Sequence, residues 1–232
     1  MSRFMIVLCV VAVTLGVVGF CGPARGAILY GNLREPNDGY TPLGASGDWL
    51  ADSFSTGTYK FVLQDVKLVA GLTSNLPTGD FTVSLWTDAT SPGAKFDQSN
   101  YYGSYGPGTL VATLGTVSDS ALATMGVVNV PNPSGTLLAA NTRYWIEVTA
   151  GTNGSSGYWA WSNEAGLNTA SEYYVFPGAP ASVTVYPNSA GPYQMLVAGT
   201  AETPEPTTIV IWSLLGGVGI AVGCWRRKRT DA

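Results

Sequence analysis

The sequence predicts an all-β fold: a two-layer antiparallel β-sandwich of jelly-roll type, followed by a single C-terminal transmembrane helix. Apolar and polar residues alternate with a period of two, as in residues 81–85, and this alternation is typical of a strand with one buried face. Turn-forming combinations of Gly, Pro, Asn and Asp recur too often for long helices. Charged residues make up 11% of the chain, against about 25% in typical soluble proteins, which favours an exported β-rich domain.

The N-terminal segment, residues 1–26, has the pattern of a secretory signal peptide. Arg3 provides a positive start, residues 5–20 are apolar, and Ala24 and Gly26 place small side chains at the −3 and −1 positions of a cleavage before Ala27. A retained N-terminal membrane anchor is the alternative. The residue before Cys21 is Phe20, not the small residue that precedes a lipidated cysteine, so a lipoprotein is not predicted.

The exported domain, residues 27–200, is predicted to consist of short strands with one helical turn at residues 119–124. Clusters rich in Pro, Gly, Asn and Asp separate the strands, and they fall at residues 77–80, 91–93, 106–108 and 153–154. The predicted strands are residues 27–30, 49–55, 60–69, 81–85, 109–114, 125–130, 142–149, 157–162, 171–176, 182–186 and 193–199.

The composition of this domain excludes several functions. The chain has no histidine, and its three cysteines (Cys9, Cys21 and Cys224) lie in the terminal segments. The domain therefore lacks the commonest general base, any disulfide and any cysteine metal site. Residues 27–200 contain five basic and twelve acidic residues, a formal net charge of −7, which argues against nucleic acid as a partner.

No catalytic residue, metal site or cofactor is predicted, because no motif distinguishes any acidic residue from its neighbours. Turn aspartates such as Asp80, Asp88 and Asp97 usually bond nearby backbone amides. Calcium on a few of them is an alternative, although the sequence has no Asp-x-Asp-x-Asp-Gly loop. A secreted hydrolase with two facing carboxylates is a more distant alternative.

Aromatic residues provide the better case for a binding site. Trp159 and Trp161 lie on one face of a predicted strand, and Tyr101, Tyr102 and Tyr105 lie in a Gly- and Ser-rich loop. Exposed aromatic rings of this kind can stack on sugars. These five residues are the candidate carbohydrate-binding site, and core packing of both tryptophans is the alternative.

A second aromatic pair lies in the strand predicted at residues 142–149. Tyr144 shares one face of this strand with Ile146, while Trp145 shares the opposite face with Glu147. We therefore expect either that one of the two aromatics lies near the surface or that both are structural residues of the sandwich.

The C-terminal tail has three parts. Residues 201–208 form a linker that contains Pro204-Glu205-Pro206, and prolines at this spacing end the regular structure before them. Residues 209–225 contain no charge, and as a helix they would span about 26 Å, close to the bilayer core of about 30 Å. Residues 226–232 begin with four basic residues, Arg226, Arg227, Lys228 and Arg229, which predict a cytoplasmic end. A plain membrane anchor is the simplest interpretation.

The order of Pro-Glu-Pro, short Gly-rich apolar helix and Arg-rich end resembles the PEP-CTERM sorting signal of exported bacterial proteins. The resemblance implies that exosortase, a membrane-embedded cysteine transpeptidase, recognises Pro204, Glu205 and Pro206 and removes the apolar segment. It also implies that residues 226–229 are the cytoplasmic stop. The sequence has no Leu-Pro-x-Thr-Gly motif for sortase, and a GPI signal would end apolar rather than basic.

Residues 49–161 resemble the choice-of-anchor domains, in particular type R. These are β-rich extracellular modules that occur with different C-terminal anchors, so the resemblance implies fold and location only. It is carried by Ala51-Asp-Ser-Phe54-Ser-Thr-Gly57, Leu63-Gln-Asp-Val66-Lys-Leu68, Gly79-Asp-Phe-Thr-Val83-Ser-Leu85, Ser91-Pro-Gly93 and Leu138-Ala-Ala-Asn141-Thr-Arg-Tyr144-Trp145.

From the residues and these resemblances we expect a non-enzymatic protein with a structural or adhesive role at the cell surface or in the extracellular matrix of a Gram-negative-type bacterium. Its expected partners are exosortase during processing, the inner membrane through the C-terminal helix before processing, and extracellular polysaccharide. A carbohydrate-binding module is the alternative function.

Overall fold

The fold is organised around one long strand that belongs to two layers of sheet. The computed structural model describes residues 26–74, 78–89, 106–164, 166–168, 173–177, 183–187 and 191–202, with the single positions Trp212, Leu215, Gly216 and Val218. Only the backbone is described for residues 133–134, 173–177 and 183–187. Gly26–Ala201 forms one compact unit, close to the predicted domain at residues 27–200.

This unit is antiparallel β-structure, as predicted. Its strands are β1 (Gly26–Gly31), β2 (Gly39–Gly44), β3 (Trp49–Ser55), β4 (Phe61–Leu72), β5 (Gly79–Asp88), β6 (Pro107–Ser118), β7 (Met125–Leu138), β8 (Arg143–Trp161), β9 (Tyr173–Pro177), β10 (Val183–Pro187) and β11 (Met195–Ala201). A 3₁₀ turn, Asp119–Ala121, lies within the predicted helical turn, and the Ser118 side chain caps it by accepting a hydrogen bond from the Ser120 backbone nitrogen.

Strand β8 changes partners along its length. Its first half, up to Ala150, lies between β3 and β5, whereas its second half, from Ser155, pairs with β2 and with the end of β4. The sequence predicts a turn at Asn153 and Gly154, and this prediction is wrong. Gly154 has a φ of 75°, a conformation that favours glycine, but here it bends one continuous strand instead of reversing the chain.

The two layers enclose one core. One layer has the order β10-β9-β3-β8-β5-β6, and the other contains β1-β11-β4-β7 together with β2 and the second half of β8. Alternate residues of both layers supply the core, which is why the arrangement is sandwich-like. Large, almost fully buried core residues include Tyr30, Phe54, Leu63, Leu68, Phe81, Leu85, Leu138, Ile146, Trp159, Tyr193 and Met195.

Strand β2 was not predicted from the sequence. Its residues, Gly39–Gly44, include Pro42, and proline usually argues against a strand. Among the described residues β2 pairs only with β8, so it borders the sheet. A border strand tolerates proline because its outer side needs no backbone donor.

No helix among the described residues is long and apolar enough to cross a membrane. The predicted span at residues 209–225 lies almost wholly outside the described residues; within it, Trp212, Leu215, Gly216 and Val218 have helical backbone and exposed side chains. Pro204, Glu205, Pro206 and residues 226–229 also lie outside the described residues, as does the predicted signal peptide except for Gly26.

Candidate functional site

Trp159 was predicted as one of the sugar-binding aromatics, and the structure places it in the core instead. Its side chain is 1% exposed. Its Nε1 donates a hydrogen bond to the Gln194 backbone oxygen at 3.0 Å, and its ring stacks on that of Tyr193 with centroids 4.7 Å apart. Both faces and the polar edge of this ring serve the fold, so Trp159 offers no surface for stacking on a sugar.

Trp161 points to the same side of β8, as predicted, and is partly buried against the core. Its ring lies directly over Gly39, where any side chain would collide with the indole. The structure thus accounts for both tryptophans by packing.

The other three predicted aromatics, Tyr101, Tyr102 and Tyr105, lie outside the described residues. The chain that carries them connects β5 to β6. The Ala89 backbone nitrogen donates to the Gly106 oxygen at 2.9 Å, so the connection leaves and rejoins the sheet at one place.

A different aromatic group lies on the outer face of β3, β8 and β5. Strand register places Trp86 opposite Trp145, Glu147 between Ala51 and Ser84, and Trp49 opposite Thr149. Because side chains at alternate positions share a face of a sheet, these residues form one surface. We call the set of Trp49, Trp86, Asp88, Trp145 and Glu147 the tryptophan face.

Trp145 is the centre of the tryptophan face. It is fully buried and forms a cluster with Ala51, against which Trp49 and Trp86 pack. Its Nε1 donates to Asp88 Oδ1 at 3.1 Å, and Asp88 Oδ2 lies 3.7 Å from Arg143 Nη1. The charge of Asp88 is therefore already balanced within the protein.

Glu147 differs from Asp88 because no Lys or Arg among the described residues pairs with it. Its Oε1 accepts a hydrogen bond from Thr149 Oγ1 at 2.8 Å. Burial raises the pKa of its carboxyl above the ordinary 4.5, and the Thr149 hydrogen bond offsets part of this pKa shift. A half-buried carboxylate beside three indole rings is thus left without a cation.

Trp86 adds an unsatisfied donor to the same surface. Its Nε1 is buried and has no hydrogen-bond acceptor in the part of the chain that the structure describes. An unpaired buried donor costs about 1–3 kcal/mol, and such groups are rare enough in folded proteins to call for an explanation. Among the described residues, a carboxylate without a cation and an indole donor without an acceptor therefore occur together on one aromatic surface.

Sequence reasoning identified part of this surface and missed the rest. It placed Trp145 and Glu147 on one face of their strand, and the structure confirms this. Trp49 and Trp86 were missed as partners because they lie on other strands, and only cross-strand register brings them together. The available signal was the period of two in this segment. Trp86 lies two positions after Ser84, so it continues one face of the strand predicted at residues 81–85.

The acidic side chains of the described residues form no metal site. Within the described residues, no three acidic side chains are close enough together to hold a metal ion. The carboxylate of the fully buried Asp119 accepts hydrogen bonds from Ser155 and Ser156, which is a structural arrangement.

The raised pKa of Glu147 predicts a pH-dependent effect on stability. The folded protein holds the Glu147 proton more tightly than the unfolded chain, so this stabilisation is complete below the unfolded pKa and is lost as pH rises through the folded pKa. We expect Glu147→Gln to raise the thermal unfolding midpoint by a few degrees at pH 8 and to leave it unchanged near pH 3.5. The measurement is the midpoint against pH, with the exposed Glu164→Gln as control; a midpoint below that of the native chain at pH 8 would contradict the prediction.

Comparison with known proteins adds no relative to this picture. No protein-family model matches the sequence, and no curated protein matches it either.

Proposed function

We propose that this chain is an exported, surface-displayed β-sandwich protein of jelly-roll type, with a structural or adhesive role and no enzymatic activity. Its C-terminal tail is a PEP-CTERM sorting signal with a transmembrane helix at residues 209–225, and exosortase is its processing partner. The domain is of the choice-of-anchor kind.

One observation carries the proposal: the compact unit begins and ends, along the chain, where the two predicted processing segments end and begin. Strand β1 begins at Gly26, one residue before the predicted cleavage at Ala27, and β11 ends at Ala201, just before the linker with Pro204. A protein that is trimmed at both ends needs a fold that does not depend on the trimmed residues.

The pairing of the end strands supports the same view. Gly26 lies opposite Thr200, and the β1–β11 ladder continues to the pair of Gly31 and Leu196. Cleavage before Ala27 removes one exposed end residue from this ladder, and cleavage near Pro204 removes none. The folded domain therefore keeps its hydrogen-bonded ladder after both cuts.

The sorting role is tested by replacing Pro204-Glu205-Pro206 with three alanines in a host that has exosortase. We expect the variant to accumulate at full length in the inner membrane, because the recognition motif is lost while the apolar segment remains. Immunoblotting of membrane and released fractions measures this. The matched control changes Thr207 and Thr208 to alanine in the same linker. Release of the triple-alanine variant at the native rate would overturn the sorting proposal.

The second candidate function is carbohydrate binding, and the tryptophan face favours it. Trp49 and Trp86 are partly exposed, so this face presents two aromatic rings at the surface, whereas Trp159 of the predicted pair is buried and Trp161 packs over Gly39. Aromatic rings with an adjacent polar group are the usual means of holding a sugar ring. Extracellular polysaccharide is the partner class that this role implies.

A further inference from the structure

We propose that the tryptophan face binds the protonated amine of an amino sugar, within a polysaccharide whose amino groups are free rather than acetylated. This inference rests on the proposed carbohydrate-binding role and names its ligand class.

The aromatic rings provide the first requirement. Trp49 and Trp86 are partly exposed, and both pack against the buried cluster of Ala51 and Trp145. An indole face attracts a cation through its quadrupole and also packs against the C–H face of a sugar ring. A charged amine attached to a pyranose uses both properties at once, whereas a neutral sugar uses only the second.

The unpaired carboxylate provides the second requirement. Glu147 lies between the two rows of the surface that carry the indoles, and among the described residues no basic side chain pairs with it. Arg143, on the same face, is paired with Asp88. An ammonium group would supply the missing counter-charge and donate a hydrogen bond to a carboxylate that has one protein donor, Thr149.

The cross-strand neighbours of Glu147 have short side chains. The residues directly opposite it on the two flanking strands are Ala51 and Ser84, and both are small and buried. The carboxylate is therefore flanked by two short side chains, while Trp49 and Trp86 lie on the adjacent rows of the sheet. A sugar ring placed between the indoles would bring its amine to Glu147.

The charge of the domain selects among polysaccharides. Residues 27–200 carry a formal net charge of −7, which attracts a polycation and repels polymers rich in uronic acid or phosphate. A neutral glucan would leave Glu147 without its counter-charge. A polymer of unacetylated amino sugars satisfies the rings, the carboxylate and the overall charge together.

The test uses the full chain, purified in a mild detergent, and three β-1,4-linked hexasaccharides of equal length. These are hexaglucosamine, its fully N-acetylated form and cellohexaose, each titrated at pH 6 while tryptophan fluorescence or heat is recorded. We expect hexaglucosamine to bind at least tenfold more tightly than the other two. Its affinity should fall as pH rises and the amine loses its proton, and should weaken with added salt.

Three variants separate the contributions. Glu147→Gln should weaken hexaglucosamine binding at least tenfold and leave the weaker binding of the other two oligomers unchanged. Trp49→Ala should weaken all three. The control Glu164→Gln removes the same charge from an exposed position elsewhere and should change none. The thermal unfolding midpoint of each variant shows whether it remains folded.

The outcomes distinguish this inference from the proposed function. Equal binding of the three oligomers, unaffected by Glu147→Gln, would overturn amine recognition and leave carbohydrate binding in place. Equal weakening by Glu147→Gln and Glu164→Gln would reduce the effect to general charge attraction and would also overturn it. Binding of none of the three would overturn both.

Discussion

Replacing Asp119 with alanine is expected to destabilise the β unit by about 3–5 kcal/mol. Asp119 is fully buried and accepts three hydrogen bonds from the second half of β8. Its Oδ1 accepts from Ser155 Oγ at 2.8 Å, and its Oδ2 accepts from the backbone nitrogen and Oγ of Ser156, at 2.6 and 2.9 Å. Alanine would leave the buried Ser155 hydroxyl without this acceptor, and the Ser156 nitrogen would keep its longer bond to the Thr78 oxygen, at 3.3 Å.

The position of these bonds explains the expected size of the effect. Ser155 and Ser156 directly follow Gly154, where β8 bends from one layer toward the other. Asp119 lies in the 3₁₀ turn that connects β6 to β7. The carboxylate thus fixes the bend of the strand that joins both layers, and its loss weakens the pairing of β8 with β2 and β4.

Urea denaturation of the full chain, followed by tryptophan fluorescence, measures this loss. The matched control is Ser120→Ala in the same turn, which removes an exposed hydroxyl and should change stability by less than about 0.5 kcal/mol. Asp119→Asn should lie between the two, because the amide keeps an acceptor for Ser155 but presents a donor to the Ser156 amide. A loss below about 1 kcal/mol for Asp119→Ala would show that the bend does not depend on this carboxylate.

Local sequence patterns were enough to predict the strands that pair by simple alternation. Strand β3 has the predicted bounds, residues 49–55, because Leu50 and Phe54 alternate with small or polar residues. Strand β5 extends the predicted residues 81–85 on both sides for the same reason. In both strands, the residue pattern alone therefore identifies the buried face.

The bend of β8 could not be predicted because it depends on distant partners. The signal at Gly154 is local and was recognised from the Asn153-Gly154 pair, and the positive φ of Gly154 agrees with it. Whether the chain reverses there or merely bends depends on what the flanking residues pair with. Here Trp145 pairs with Ser53 and Trp86, while Trp159 pairs with Thr41 and Ala70, and these residues are far apart in sequence.

The same limit explains the error over the aromatic site. Alternation correctly placed Trp159 with Trp161 and Trp145 with Glu147, but it does not say which face of a strand meets the other sheet. In the first half of β8 the core takes Tyr144 and Ile146, so Trp145 faces outward. In the second half it takes Trp159. The assignment of inside and outside is a property of how the layers stack.

Alanine at Trp159 is expected to cost about 3–5 kcal/mol, whereas alanine at Trp161 should cost roughly half as much or less. Trp159 is 1% exposed, stacks on Tyr193 and donates to the Gln194 oxygen, so its removal leaves a cavity and takes away one of the two donors to that oxygen, the other being the Val69 nitrogen at 3.0 Å. Trp161 is only partly buried, and solvent can fill part of the space it leaves.

Trp159→Phe separates the stability lost with the ring contacts from that lost with the hydrogen bond, since phenylalanine keeps most of the ring contacts but lacks the Nε1 donor. It should cost less than alanine. Thermal and urea unfolding of the full chain measure the three variants, and Trp49→Ala on the tryptophan face serves as the exposed reference. Because Trp159 belongs to the core and Trp49 to the outer surface, the first should lower stability strongly, and the second should lower sugar binding with a smaller loss of stability. Equal losses of stability at Trp49 and Trp159 would contradict the division of the tryptophans into a core set and a surface set, on which the binding proposal depends.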